Sequence, residues 1–290
     1  MMLAFSSLGQ SRFRNQHGLK VPQLIRTVLC LSLLTGSVAG AQTADTISGP
    51  KPLFTWGDAA IAGGFTLATI VLAPADRHLT HQLQVPARQS NRLLHTGADV
   101  FRILGNPGGM IAGAGLYLLG TADGQRRTQD LGLHTMEAIV LGGGVSTVVK
   151  IVTGRARPRI SGGDASRFQL LRGLKNDDYR SFPSGHTTTA FAFAATVASE
   201  TQRWWPNSRW IIGPILYGGA TLTGVSRIYN NAHWASDVMA GAAVGTIIGL
   251  KVVRYQHSHP DNRLDRKLLR AGVSHVNGGG WVPTFSTVVY

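Results

Sequence analysis

An all-α protein, a bundle of six helices lying between residues 56 and 255, is what this sequence predicts, and three observations carry that prediction. Apolar runs of helical length recur through the span, separated by stretches rich in Pro, Asn or charge. The apolar-polar alternation of a half-buried strand is nearly absent from it. Glycine is abundant (36) while charged residues make up only 14%, which suits helices packed closely through small contact faces better than a highly charged surface bundle.

The first helix is expected over Asp58 to Leu72, with Asp58 as its cap and Pro74 as its terminator. A polar stretch from Asp76 to Asn91 follows, then an amphipathic helix from Arg92 to Leu104 ahead of Asn106-Pro107. Gly109 to Leu119 is the second apolar segment, Thr135 to Val152 the third and Thr187 to Ser199 the fourth. Ile211 to Val225 and Val238 to Val253 make the fifth and sixth. The second and fourth fall short of the ~20 residues that a membrane span needs. A mean hydropathy of +0.06 is also low for a protein immersed in lipid. The expectation is therefore one helical domain, 56-255, that rests on a membrane or dips partly into it.

The ends read differently. Residues 1-41 have the layout of a secretory signal peptide: Arg12, Arg14, Lys20 and Arg26 with no acid before Asp45, an apolar run from Thr27 to Val38, then Ala39-Gly40-Ala41. An uncleaved anchor would need a longer run. The one cysteine, Cys30, lies inside this segment behind Leu29, where a lipoprotein signal would carry a small residue. A periplasmic location follows as the expectation. Residues 42-55 read as a linker and 256-290 as a basic polar tail, with a hairpin signal around Asn277-Gly278-Gly279-Gly280.

The formal net charge is +14, and without the four basic residues of the signal it is +10. Such a surplus favours anionic partners: phosphate esters, anionic lipid headgroups or nucleic acid. The basic residues form no run with interleaved aromatics, so a nucleic-acid partner is not expected.

Chemistry gathers in three stretches. The last, Ser226 to Asp237, places Arg227, His233 and Asp237 within twelve residues, with His233 and Asp237 at i and i+4 on one helix face. A carboxylate so placed fixes the imidazole tautomer that attacks an electrophile. The first stretch offers Lys150 and Arg157-Pro158, and Arg157 is a planar fork for two phosphate oxygens. The second, Pro183-Ser184-Gly185-His186, opens an apolar run, with Ser184 as an N-cap and Gly185 allowing close backbone approach to an anion. All three stand at matching ends of the expected helices, as one active site requires. The 159-182 loop between the first two reads either as a rim over the site or as a solvated loop.

Lys150, six residues and Arg157-Pro158; Pro183-Ser184-Gly185-His186; and Ser226-Arg227, five residues, His233, three residues and Asp237 together resemble the three-part signature of the type 2 phosphatidic acid phosphatase and vanadium haloperoxidase superfamily. Every part matches, in the family's order. The resemblance implies a helical bundle of that kind and a phosphatase of its bacterial branch, with His233 as the nucleophile that becomes phosphohistidine. The residues themselves suggest His186 as the general acid that protonates the leaving oxygen, its ordinary pKa near ~6.5 suiting both halves of a cycle. Lys150, Arg157, Ser184, Gly185 and Arg227 would hold the phosphoryl oxygens.

The expected activity is thus metal-independent hydrolysis of phosphate monoesters or diphosphates, with a lipid phosphate as partner and no cofactor. A vanadium-dependent haloperoxidase and a non-enzymatic envelope protein are the competing readings. A zinc site built from His257, His259, His78 or His81 finds no cysteine and few well-spaced carboxylates to complete it.

Overall fold

The computed structural model describes residues 52-259, Asn262, and the segments 271-276 and 280-285. The expected signal peptide and most of the 42-55 linker lie outside the described residues. Eight helices carry the fold: α1 (Trp56–Leu72), α2 (Asp76–Gln84), α3 (Arg92–Ile103), α4 (Gly109–Ala122), α5 (Arg126–Thr153), α6 (Gly185–Trp204), α7 (Ile212–Tyr229) and α8 (Ala235–Ser258). Single helical turns lie at Pro86–Gln89 and Pro158–Ser161. The helical class is as expected, and the helix count exceeds six because the amphipathic helix expected over Arg92 to Leu104 forms as α3 and the polar stretch after Asp76 forms α2.

At the start of α1 the cap is Thr55, not Asp58. Asp58 occupies the third helical position, where its carboxylate accepts the Thr55 amide at 2.7 Å while Thr55 Oγ1 accepts the Asp58 amide at 3.3 Å. The same carboxylate pairs with Lys251 and Arg254 of α8, tying the first helix to the last. Pro74 does not end this segment. It falls in the first turn of the short 3-10 helix Ala73–Ala75, where no intrahelical N–H is needed, and the chain runs on into α2. The polar stretch after Asp76 is therefore helical, with Asp76, Thr80 and Leu83 buried. Likewise α5 begins at Arg126, well before the expected Thr135, because its polar first turns lie against other helices, with Gln129 and His134 buried.

α6 and α8 form the centre. Alanines 190, 192, 194 and 195 of α6 are all buried, and the helices approach so closely that a Cβ on Gly245 would lie 2.3 Å from the Thr188 carbonyl. α1, α5 and α7 pack around this pair, α4 lies on α5 and α3 on α7. Three helical segments, Trp56–Gln84, Arg126–Thr153 and Ala235–Ser258, are long and apolar enough to cross a membrane. The outer faces of α1 and α5 expose Leu67, Ile70, Val71, Val140, Leu141 and Val148, an apolar perimeter of the kind lipid covers. α6, at 20 residues, is also longer than its expected thirteen-residue apolar stretch. In the tail, Ala271–Val276 and Gly280–Phe285 pair as an antiparallel hairpin, with Val276 opposite Gly280 at the turn.

Candidate active site

The C-terminal ends of α5 and α7 and the N-terminal ends of α6 and α8 meet at one end of the bundle, and every residue singled out in the three stretches lies there. His233, in the turn between α7 and α8, is 2% exposed. Its Nδ1 lies 2.7 Å from the Ser181 carbonyl oxygen, so this nitrogen carries the proton and donates it. The lone pair is then on Nε2. Asp237 was expected to hold the ring directly, but its Oδ2 is 3.8 Å from Nδ1. That oxygen instead accepts the Ser181 hydroxyl at 2.6 Å and the Trp234 amide at 2.8 Å, so Asp237 fixes the segment that fixes the ring. Burial pushes the imidazole down to about 3, helped by Lys150 and Arg157 and opposed by Asp237, which keeps the ring neutral at neutral pH.

Behind His233 runs a buried ionic network that the sequence reading missed. Arg155, 4% exposed, donates to Asp237 Oδ1 at 2.5 Å, to Ser236 Oγ at 2.8 Å and to Asp76 Oδ2 at 2.8 Å. It also donates to the Ala165 carbonyl, and it lies between the rings of Phe168 and Trp234. Asp76, wholly buried at the start of α2, accepts the Ser236 amide at 2.8 Å. One guanidinium thus bridges two buried carboxylates and locks the α8 N-terminus against α2. The sequence offered two weak signs: Arg155 sits between Lys150 and Arg157, and Asp76 stands two residues after Pro74.

The anion-binding residues divide by what they already touch. Lys150 Nζ donates to the Arg180 carbonyl at 3.1 Å and to that of Pro183. It also lies over Gly185, where an added Cβ would come within 3.4 Å of Lys150 Cε. Arg157 donates through Nε to the Asp177 carbonyl and through Nη2 to the Asp177 carboxylate, each at 3.0 Å, so an entering anion competes with Asp177 for this fork. Ser184 stands at the α6 N-cap position, but its hydroxyl accepts from Thr187 Oγ1 at 2.8 Å rather than from an amide. Ser146, one turn before Lys150, is buried with its hydroxyl unpartnered among the described residues, and it faces Gly185.

Arg227 is buried, and among the described residues its Nε and Nη1 have no hydrogen-bond partner. Two unsatisfied donors on a buried cation form a socket for an anion. The charge of Arg227, with those of Lys150, Arg102 and Arg157, also reaches His186, which burial first and these cations second push down to about 4. Arg102, on α3, belongs to none of the three stretches.

The 159-182 loop is pinned as a rim. Gly154 ends α5 at φ 55, and a Cβ there would sit 1.7 Å from the Gln169 carbonyl, so only glycine lets the loop return this closely. The loop is fastened by Gln169 N to Gly154 O at 2.9 Å, Leu171 N to Val152 O at 3.1 Å and Ala156 N to Arg167 O at 2.9 Å. It delivers Ser181 beneath His233 and Asp177 beside Arg157. Its crest exposes Leu170, Leu171 and Leu174, with Leu171 held at φ 61.

Residues 132-260, which contain all three stretches, match the PAP2 superfamily. The chain carries a PAP2 superfamily domain. Over 71 residues it is 51% identical to a lipid A 1-phosphatase of Porphyromonas gingivalis, covering 24% of this chain and 15% of that one. It is 29% identical over 143 residues to an undecaprenyl-diphosphatase of Sulfolobus acidocaldarius, covering 49% of this chain and 64% of that one. The chain thus spans less than two thirds of the length of either relative. The PAP2 fold itself is seen in the likeness to a transmembrane PAP2-type phosphatidylglycerolphosphate phosphatase from Bacillus subtilis. The TM-score is 0.52 at 20% identity, over 70% of this chain and 98% of that one. Asp76, whose carboxylate anchors Arg155, precedes the PAP2 match in the chain.

Proposed function

We propose that this protein is a metal-independent phosphatase that hydrolyses lipid phosphates or diphosphates through a phosphohistidine at His233. The observation that carries the reading is the buried guanidinium of Arg227, with two unpartnered donors, set among Lys150, Arg157 and a neutral His233. His233 Nε2 attacks phosphorus, the bond to the leaving oxygen breaks, and His186 in its protonated form gives that oxygen a proton. Neutral His186 then takes a proton from water as the water attacks phosphorus; the P–N bond breaks and phosphate leaves. Burial first and the surrounding cations second favour neutral His186; a bound phosphate dianion offsets the cations' share and so favours the proton that the first step requires.

The names of the relatives, a lipid A 1-phosphatase and an undecaprenyl-diphosphatase, support a lipid-linked phosphate as substrate. The apolar perimeter and the three span-length helices support association with a membrane. The placement of the active end in the periplasm rests on the signal-like N-terminus.

The test is phosphate release by the chain in detergent micelles, from phosphatidic acid, undecaprenyl diphosphate, a lipid A phosphate and p-nitrophenyl phosphate, with EDTA present. Release from at least one lipid, persisting in EDTA and suppressed by vanadate, is expected, because Lys150, Arg157 and Arg227 supply the positive charge that a metal provides elsewhere. No release from any of the four would end the reading.

Changing His186 to alanine separates the substrates by leaving group. An alkyl alcohol leaves poorly as an alkoxide, so kcat/KM on phosphatidic acid falls by roughly 10² to 10⁴, the usual share of general acid catalysis. p-Nitrophenol leaves unprotonated, and its ester keeps most of its kcat/KM. Equal losses on both would assign His186 to positioning.

A further inference from the structure

A second polar cluster lies at the opposite end of the bundle. Glu200 of α6 is wholly buried, and its carboxylate meets two histidines from other helices. His134 Nδ1 of α5 lies 2.6 Å from Oε1, and His257 Nε2 of α8 lies 2.9 Å from both carboxylate oxygens. The two imidazoles stand edge to face, with ring centroids 5.7 Å apart. Glu200 stands fourteen residues along α6 from His186, roughly 21 Å at 1.5 Å per residue, so this cluster is no part of the phosphate site.

We propose that His134 Nδ1, the Glu200 carboxylate and His257 Nε2 form a binding site for a divalent transition-metal ion of the Zn²⁺ kind, which clamps α5, α6 and α8 together. The three ligand atoms lie within 4.8 Å of one another. Neighbouring ligands of a tetrahedral ion with bonds of about 2 Å are separated by roughly 3.3 Å. The contacts at 2.6 and 2.9 Å therefore need to open by about 0.7 and about 0.4 Å.

Two imidazole nitrogens and one carboxylate suit zinc and its neighbours rather than calcium or magnesium, which take oxygen ligands. Three protein ligands leave a fourth position, for water or for Asp130, which sits one turn before His134 and interacts electrostatically with all three. His257 is the exposed member and gives the ion its way in. Beside the cluster, Gln256, next to His257, donates to Glu137, one turn beyond His134, and so ties α8 to α5. The sequence hides this set, because its members stand far apart in the chain, with no cysteine and no short ligand spacing.

The experiment uses the full chain in detergent, purified without a histidine tag, stripped with EDTA, freed of chelator and titrated with ZnCl₂ against a chromophoric competitor. One zinc ion per chain is expected, with Tm raised by roughly 5 °C or more at a hundredfold excess over Kd. MgCl₂ should produce no such shift. His257→Ala should abolish stoichiometric binding and the zinc-dependent rise, measured against the variant's own metal-free Tm because buried Glu200 loses a partner, and His81→Ala should leave binding and rise intact. A folded wild-type chain that takes up no stoichiometric zinc overturns the proposal, and so does a His257→Ala variant that binds as the wild type does. Phosphatase activity is not a readout, so failure here leaves the reading of the phosphate site untouched. A structural ion further requires that EDTA added to the zinc-loaded chain lower Tm to the metal-free value.

Discussion

Replacing His233 with alanine abolishes turnover, by a factor of roughly 10⁴ or more, while the chain still folds and still binds inorganic phosphate. The imidazole makes one short bond, to the Ser181 carbonyl, so its removal deletes a single buried hydrogen bond worth about 1 kcal/mol. Lys150, Arg157 and Arg227 remain to hold the anion. Rapid quenching with ³²P-labelled substrate should trap an alkali-stable, acid-labile phosphoenzyme in the wild type and none in the variant. An intermediate that survives in the variant removes His233 from the nucleophile's role, whatever happens to the rate.

The second large effect is on stability. Arg155→Ala leaves Asp76 and Asp237 buried with no cation between them, and breaking a buried pair in this way costs about 3-5 kcal/mol. A loss of Tm of roughly 10 °C is expected from scanning calorimetry in detergent. Because much of that cost is the charge left behind, the double variant Arg155→Met with Asp76→Asn should be less damaged than Arg155→Ala alone. A Tm for Arg155→Ala within two degrees of the wild type would show that the network does not hold α8 to α2.

The sequence revealed the chemistry of the candidate site better than its mechanics. His233, His186, Lys150, Arg157 and Arg227 are exposed to a reader because a functional side chain must be one particular residue type at one spacing. The groups that hold them in place obey looser rules. Ser181 orients the His233 ring through a backbone carbonyl, which any residue possesses, so no side-chain pattern could name it. Asp76 lies in a stretch that reads only as polar, because the partner that meets it, Arg155, is far along the chain. The helical class was legible from periodicity, whereas the start of α5 and the whole of α2 were not. Their polar residues are covered by tertiary neighbours, which override local composition.

The crest of the 159-182 loop has a consequence for how reactants arrive. Leu170, Leu171 and Leu174 stand exposed beside a cationic mouth, in the company of Arg167, Arg172 and Lys175, and Leu171 adopts a left-handed backbone that a branched side chain occupies only at some cost. If the substrate is the lipid phosphate proposed above, a lip that is greasy at its tip and basic at its flanks would seat at the level of lipid headgroups, and that substrate would reach Arg227 sideways within its own monolayer. Encounter is then two-dimensional: the rate follows the mole fraction of substrate in the surface, and inert amphiphile added at constant bulk substrate slows the reaction by dilution alone.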